Sequence, residues 1–279
     1  MLAVVSLALG ACCSRQEQTA TEAEQAQVEV PVVDARPGEL DLYISAAYAD
    51  SLSDLIELFR ERRPNVTFHK RTGDARSLVT EIREGATPDV FMSPGDIEVK
   101  PLEAADLVGL RKDFCFTTLG IITPKGNPAG VHSLEQLAAD STKAVATGPA
   151  DTSIGHYAVG LLKDEGLWEK MEGKVAFAQR PSEVLALAAQ GKADACLAYG
   201  APLRTQEDEE GAQLREKLEL VGDLTAQYCL KIPCPAISPV GCSRPELAEE
   251  FIEFLTGDAA QEVLARHGFL KLKDPCCAD

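Results

Sequence analysis

The segment with the clearest chemical potential is a short strand followed at once by small residues and then by a helix. Apolar and other side chains alternate over residues 40–44, which predicts a strand, and Ser45-Ala46-Ala47 follows where the chain must turn. The residues after this turn are predicted to form a helix with one apolar face, made by Leu52, Leu55, Ile56 and Phe59. A helix start at a sheet edge offers unpaired N–H groups and a favourable dipole to an anion. On this stretch alone, an ordinary strand–helix unit without a ligand remains the alternative.

Cysteines are the second group of residues that could do chemistry. Cys12 follows an apolar run, and eight cysteines remain: Cys13, Cys115, Cys196, Cys229, Cys234, Cys242, Cys276 and Cys277. An even number in an exported chain suggests disulfides, whose connectivity cannot be deduced from the sequence. A zinc site would need repeated, closely spaced cysteine pairs, which the spacing does not provide. Disulfides or buried thiols are therefore favoured, and a thiol-based metal site is the alternative.

Patterns that would indicate an enzyme are missing from the sequence. It contains no G-x-S-x-G, no H-E-x-x-H and no P-loop motif, so a nucleophile with its base is not indicated. The histidines lack metal-ligand spacing: His69, His132, His156 and His267. We predict neither catalytic residues nor a cofactor nor a metal centre, with an exported hydrolase as the weaker alternative.

The N-terminus has the features of an export signal. Residues 1–11 are apolar or small and lead directly into Cys12, a run too short to span a bilayer. The sequence Leu9-Gly10-Ala11-Cys12 resembles the lipobox of bacterial lipoproteins, which implies cleavage before Cys12 and a lipid on its sulfur. The polar composition that follows predicts a flexible tether over 12–38. The predicted location is therefore the periplasmic or extracellular face of the cell envelope, with a lipid anchor in the membrane.

Composition limits what the rest of the chain can be. The 279 residues include 45% hydrophobic residues, enough for a core, and carry a formal net charge of −17. Such acidity argues against nucleic acid as a partner, because phosphate binding needs a basic face. Residues 207–210 supply part of the acidity and are predicted to form a solvated loop.

Predicted strands and helices alternate along the body of the chain. A strand at 66–69, a helix from Asp74 to Gly85 and a strand at 89–92 continue the first unit, and Asp74 is the predicted N-cap of that helix. One strand is predicted over 114–123. A second unit alternates in the same way from residue 143 to Tyr199. This order predicts an α/β fold with mixed, mostly parallel sheets and helices on both faces.

Six stretches, taken in order, resemble the molybdate-type substrate-binding proteins of ABC importers, a branch of the type II periplasmic binding proteins. They are the Ala46-Ala47 turn with its helix, residues 73–85, residues 88–93, residues 148–157, Ala198-Tyr199-Gly200 and the closing helix pair at 254–269. The resemblance implies two α/β lobes with a ligand cleft between them. By analogy, the first lobe would comprise residues 40–118 and 237–279, and the second residues 119–236.

The resemblance also implies where the ligand would be held. Proteins of this family bind a tetrahedral oxyanion with hydroxyls, backbone N–H groups and a tyrosine. In this chain, the two serine positions fall on Ala47 and Ala75, so both hydroxyls are missing. Main-chain donors of the second lobe fall near Ile154 and near Pro181 or Ser182, and the tyrosine falls on Tyr199. Polar residues nearby complete the predicted site: Tyr48, Arg76, Ser77 and Ser153.

The predicted function is that of an extracytoplasmic solute-binding lipoprotein that delivers its ligand to an ABC permease. A small oxyanion is the predicted ligand, with molybdate or tungstate as the leading candidates. Another oxyanion, a metal ion bound through cysteine thiols, or a small carboxylate remains the alternative. The protein is expected to be a monomer with the permease, the small ligand and the membrane as its partners.

Overall fold

The structure is a computed structural model that describes residues 34–204 and 209–274. Its strands are β1 (Gly38–Ser45), β2 (Val66–Gly73), β3 (Val90–Met92), β4 (Val108–Thr117), β5 (Leu119–Pro124), β6 (Val145–Thr147), β7 (Val175–Phe177), β8 (Ala195–Tyr199), β9 (Leu218–Asp223) and β10 (Ile232–Pro239). Its α-helices are α1 (Ala49–Arg60), α2 (Ala75–Arg83), α3 (Lys100–Glu103), α4 (Leu134–Ala138), α5 (Ser153–Asp164), α6 (Trp168–Met171), α7 (Pro181–Ala189), α8 (Ala201–Arg204), α9 (Glu209–Lys217), α10 (Leu224–Tyr228), α11 (Pro245–Leu255) and α12 (Asp258–Arg266).

Two five-stranded sheets organise these elements. In the first sheet the strand order is β2-β1-β3-β10-β4, with β1, β2 and β3 parallel and β10 antiparallel to both of its neighbours. In the second sheet the order is β7-β6-β8-β5-β9, with β6, β7 and β8 parallel and β5 antiparallel to its neighbours. The predicted two-lobed α/β fold is confirmed, and we call each sheet with its helices a lobe.

The chain passes between the lobes at two places. Thr118 alone separates β4 in the first sheet from β5 in the second. The single strand predicted over 114–123 is therefore wrong: a run of strand-forming residues does not show where the chain changes sheets. The chain returns between Asp223 and Ile232, a few residues before the predicted boundary at 237, and the division into lobes by residue number stays a prediction.

The two cores differ in the side chains that fill them. Helix α1 buries the four apolar residues of its predicted face. In the first lobe, Phe59 contacts the rings of Phe251 and Phe254 at centroid distances of 5.1 Å, nearly perpendicular to each, an arrangement that aromatic pairs favour. The second core is made mainly of aliphatic residues, among them Leu119, Ile121 and Leu162. Each lobe therefore has its own core beneath a shared cleft.

Several predictions concern residues outside those that the structure describes. The signal sequence at 1–11, the lipidation of Cys12 and nearly all of the tether at 12–38 belong to this group. The solvated loop predicted at 207–210 is partly wrong, because Glu209 begins α9. Across 34–204 and 209–274, no helix has the length and apolar character needed to cross a membrane.

The cysteines of the described residues fall into two states. Cys229 is disulfide-bonded, whereas Cys115, Cys196, Cys234 and Cys242 are free thiols, the first three of them buried. Within the part of the chain that the structure describes, no cluster of three or more histidine, cysteine or acidic residues could hold a metal ion. A thiol-based metal site finds no support there.

Candidate functional site

The predicted site lies where parallel strands end and helices begin. In the first lobe, β1 and β2 lead into the helical segments at Ala46 and Ala75. In the second lobe, β6 and β7 lead through short loops into the helix starts at Ser153 and Pro181. Because first-turn N–H groups lack partners within their own helix, this arrangement brings donors from both lobes to the cleft.

A small cavity of about 30 Å³ occupies the meeting point of these helix starts. Its lining includes three ionisable side chains, Asp74, Arg76 and Glu98, together with Ala75 and Ile154. The volume is enough for one or two waters. The small cavity is therefore lined by residues of both lobes. A ligand larger than one or two waters would have to widen it.

Backbone donors around the two cavities of the cleft are unused. Within the described residues, the N–H groups of Ala75, Ile154 and Ser182 make no hydrogen bond. Other first-turn donors are capped: Asp74 accepts from the N–H groups of Arg76 and Ser77, which confirms the predicted N-cap. The Ser77 hydroxyl is also directed to Asp74. The unused donors are those expected to bind an anion.

Arg76 joins the two lobes at the edge of the small cavity. Its guanidinium donates to the Asp151 carboxylate at 2.7 Å and to Gln179 Oε1 at 2.6 Å. Both partners belong to the second lobe, whereas Arg76 is in the first turn of α2. Arg76 is 39% exposed, so its ion pair is screened by solvent and contributes little to stability. Its remaining donors lie beside the cavity, where a planar fork can bind an oxyanion.

Ser153 is buried and bonded to an acidic residue of the other lobe. Its N–H donates to Glu98 Oε1 at 2.8 Å, its hydroxyl contacts Glu98 Oε2, and its Oγ accepts from the N–H of Ile97 at 3.0 Å. Glu98 lies in a short 3₁₀ segment, Ile97–Val99, that follows β3. Burial raises the pKa of Glu98, although the bonds from Ser153 lower it. An acidic side chain of the first lobe thus occupies the start of α5.

Two buried tyrosines of the predicted site differ in their surroundings. Tyr199 ends β8 with 5% of its surface exposed, and its hydroxyl has no hydrogen-bond partner in the described residues. Burial, followed by the nearby Glu98 carboxylate, raises its pKa. Tyr48 is fully buried, donates to the carbonyl of Ser93 at 2.9 Å and stacks on Phe269. The hydroxyl of Tyr199 is therefore left without a partner, whereas that of Tyr48 is used in the core.

A larger cavity of about 740 Å³ adjoins the small one and shares Ser45, Asp74, Pro94 and Pro181 with it. The large cavity is lined by three further predicted site residues, Ala47, Ser182 and Tyr199, whereas Ser77 and Ser153 line neither cavity. The structure therefore places three predicted residues at the small cavity, three at the large one and Tyr48 in the core, while Ser77 bonds to Asp74 and Ser153 to Glu98.

Sequence reasoning missed three side chains at the site. Glu98, Asp151 and Gln179 make the contacts between lobes described above. Tyr157 of α5 also donates to Asp96 across the cleft at 3.1 Å. No spacing in the sequence pairs residues about 50 to 100 positions apart, so only the fold could reveal these contacts.

The two-lobed fold and the helix starts around its cleft define a binding protein of the type II periplasmic class. Residues 40–270 match the model of the bacterial extracellular solute-binding protein family, and the chain belongs to this family. The predicted relationship to molybdate-type substrate-binding proteins is confirmed.

Individual relatives agree with this assignment. The chain is 24% identical over 246 residues to YvgL of Bacillus subtilis, a protein provisionally named as an ABC transporter substrate-binding lipoprotein, covering 83% of this chain and 86% of YvgL. It is 23% identical over 241 residues to the molybdate-binding protein ModA of Haemophilus influenzae, covering 84% and 91% of the two chains.

A solved structure is also similar. The substrate-binding domain of a protein assigned provisionally to a molybdenum ABC transporter of Clostridium difficile has 25% identity and a TM-score of 0.65, covering 85% of this chain and all of that domain. The protein is therefore a substrate-binding protein of an ABC transporter.

Proposed function

We propose that this protein captures a small oxyanion between its two lobes and delivers it to an ABC permease. Molybdate and tungstate are the leading ligands, since a molybdate-binding protein is among the relatives over nearly the whole chain. The protein acts outside the cytoplasm as a carrier and not as an enzyme.

The observation that carries this proposal is the set of unused donors at one cavity. The N–H groups of Ala75 and Ile154 come from different lobes, and both residues line the small cavity beside Arg76. The unpartnered hydroxyl of Tyr199 is a further donor on the cleft. Neutral and cationic donors from both sides of a cleft suit an oxyanion, because each helix start also contributes its dipole.

The two missing serines set the expected affinity. Each hydrogen bond to an anion contributes about 1.5–3 kcal/mol, so alanine at positions 47 and 75 removes about 3–6 kcal/mol unless other donors replace the hydroxyls. That loss would weaken a site of nanomolar affinity to one of micromolar affinity or weaker. Arg76 offsets part of the loss, because a guanidinium provides two parallel donors to an oxyanion.

Calorimetric titration of molybdate, tungstate, sulfate and phosphate into the wild type and Arg76→Ala tests the proposal. We expect at least one oxyanion to bind and Arg76→Ala to weaken it by about tenfold or more. Arg71→Ala is the matched control, since Arg71 pairs with Glu81 outside both cavities. Binding of a cation or a neutral metabolite, with none of the four oxyanions, would show that the proposal is wrong.

A second candidate is a small organic anion such as a carboxylate. The observation that favours it is the large cavity, whose 740 Å³ lies in the range for organic ligands. An anionic head at the helix starts would leave room there for an organic body. A thermal-shift screen of small carboxylates beside the oxyanions separates the two, because the ligand that binds only the folded state raises the melting temperature.

The membrane anchor is part of the proposal. Lipidation of Cys12 would hold the protein at the membrane that contains the permease, and more than one acyl chain is needed for firm anchoring. We expect Cys12→Ser to convert a membrane-bound protein into a soluble or unprocessed one. A wild-type chain that is soluble, cleaved after residue 11 and free of lipid would contradict the anchor without affecting the ligand site.

A further inference from the structure

Glu98 crosses from the first lobe to bind a helix start of the second lobe. Among the described residues that line the small cavity, it is the one acidic side chain that does so. Its carboxyl group lines the cavity and uses both oxygens on Ser153, one on the N–H and one on the hydroxyl. Only 8% of its surface is exposed. Any anion that fills this cavity therefore lies directly beside a buried carboxyl group.

We propose that Glu98 determines the charge that the site accepts: an oxyanion binds together with one proton, which resides on Glu98 and makes its carboxyl a hydrogen-bond donor to the anion. This inference rests on the proposed function and concerns the same site. The proton comes from solvent, no covalent bond is made or broken, and it returns to solvent when the anion leaves.

The charged groups around Glu98 do not neutralise it. Asp96 lies on the same loop, and Asp74 lines the same cavity. The cation of the cavity, Arg76, is already paired with Asp151 of the second lobe. The groups facing Glu98 from the remaining elements, Tyr199 and Ser153, carry no positive charge. An ionised Glu98 and an oxyanion would therefore repel each other in a space poorly screened by water.

The geometry also allows the neutral form. Ser153 Oγ accepts a hydrogen bond from the N–H of Ile97, so the hydroxyl is held in place by the first lobe whether Glu98 is charged or not. Burial already raises the pKa of Glu98 before any anion enters. A bound anion favours the protonated form further, since it removes the repulsion and gains a donor.

The linkage has a definite sign. Binding that requires a protonated Glu98 weakens as pH rises, by about tenfold per pH unit between the pKa of Glu98 in the free protein and its higher pKa in the complex. Asp74 does not take this role, because its carboxylate already accepts the N–H groups of Arg76 and Ser77 at the start of α2.

Titration of molybdate into wild type, Glu98→Gln and Glu103→Gln tests the proposal between about pH 6 and pH 8.5, where the charge of molybdate is constant. Repeating each titration in two buffers with different ionisation enthalpies counts the protons taken up. Glu103→Gln is the matched control, since it removes an acidic group that pairs with Arg111 away from both cavities.

We expect the wild type and Glu103→Gln to take up protons with molybdate, approaching one per molybdate where Glu98 is ionised in the free protein, and to bind more weakly as pH rises. Glu98→Gln should take up none, bind independently of pH and exceed the wild type in affinity at the upper end of the range. Counting protons on the wild type alone keeps the test valid if Glu98→Gln folds poorly.

Two results would overturn the proposal while the oxyanion function stands: molybdate binding to the wild type without proton uptake, or a Glu98→Gln variant with the proton uptake and pH dependence of the wild type. If neither protein binds molybdate, tungstate, sulfate or phosphate at any pH, the proposed function itself fails, and this inference fails with it.

Discussion

The two lobes are built on the same strand plan but supply different chemistry to the cleft. Each sheet has three adjacent parallel strands, β2-β1-β3 in one and β7-β6-β8 in the other, beside an antiparallel strand. After its strands the first lobe presents the charged side chains Asp74, Arg76 and Glu98. The second lobe presents the N–H groups of Ile154 and Ser182 and the hydroxyl of Tyr199.

The contrast is clearest after the third parallel strand of each lobe. Strand β3 leads to Glu98, whose carboxyl group crosses the cleft, whereas β8 ends at Tyr199, whose hydroxyl has no partner among the described residues. Helix starts supply backbone donors to the cleft whatever their side chains are, whereas a few side chains set the charge of the cleft and therefore its choice of ligand.

The largest effect is expected from forcing the lobes apart at Gly95. A Cβ atom added there would lie 2.1 Å from Ser153 Oγ. Gly95 belongs to the loop after β3 in the first lobe, whereas Ser153 begins α5 in the second. We expect Gly95→Ala to oppose closure at a cost of about 1–3 kcal/mol, which weakens ligand binding roughly tenfold to a hundredfold. Small-angle scattering should show a larger radius of gyration. Gly160→Ala is the control, because a Cβ there meets nothing within 4 Å.

Unchanged affinity and radius in Gly95→Ala, with Gly160→Ala also unchanged, would show that the contact between Gly95 and Ser153 is not needed for binding. The lobes would then associate through other contacts, such as the ion pair of Arg76 with Asp151.

The two buried tyrosines provide a matched pair. Tyr199→Phe removes a hydroxyl without a partner in the described residues, so we expect about tenfold or greater loss of oxyanion affinity and no loss of stability. Tyr48→Phe removes the bond to the Ser93 carbonyl, so we expect about 1 kcal/mol lower stability and unchanged affinity. Calorimetry and urea unfolding measure both. Equal affinity of Tyr199→Phe and wild type would exclude its hydroxyl from the site.

The pH dependence of stability should differ between a buried acidic residue of the cleft, Glu98, and an acidic residue paired with an arginine outside the cavities, Glu81. Burial raises the pKa of Glu98 above its ordinary value of about 4.5, so from that pH up to the raised pKa the folded state binds more protons than the unfolded state. Its contribution to stability therefore falls as pH rises above about 4.5. The melting temperature of Glu98→Gln should increasingly exceed that of the wild type over this range.

Glu81→Gln is the control with the opposite sign. Its bond with Arg71 lowers the pKa of Glu81, so this contribution is present above about pH 4.5 and is lost as pH falls through the lowered pKa. A melting-temperature difference for Glu98→Gln that stays constant with pH would argue against a perturbed carboxyl group.

The smallest effect concerns thiol reactivity, again compared between lobes. In the second lobe, burial raises the pKa of Cys196 to about 12, so its thiolate is scarce at neutral pH. In the first lobe, Cys242 is only partly buried. We expect Cys242→Ser to remove a thiol that reacts with Ellman's reagent in the folded protein, and Cys196→Ser to remove one that reacts only after unfolding. Fast labelling of Cys196 in the folded protein would contradict its burial.

Local patterns were enough to predict most of the fold. The apolar face of α1 and the N-cap at Asp74 depend on neighbours within one helix, and such spacings are visible in the sequence. The change of sheet at Thr118 was not predictable, because both flanking segments have strand-forming composition. The backbone donors near Ile154 and Ser182 followed from helix starts placed by the family resemblance.

Side-chain contacts at the cleft were less predictable from the sequence. Arg76 was identified and does lie at the cleft, but its partners Asp151 and Gln179 were not. Tyr48 was assigned to the site from its position beside the turn, and the structure places it in the core. Glu98 went unnoticed because nothing in its local sequence distinguishes a carboxyl group that crosses the cleft from one that faces solvent.

The position of β10 in the first sheet has a consequence for the order in which the two sheets can be completed. This strand lies between β3 and β4 although about 140 residues separate it from β3 in sequence. The five strands of the second sheet, in contrast, come from one continuous segment, Leu119–Asp223. A chain that emerges N-terminus first can therefore complete its second sheet while the first still lacks an inner strand. Long-range strand pairing is slow, and the first sheet can be completed only after Ile232–Pro239 has emerged. Until then the edges of β3 and β4 are open to unwanted pairing.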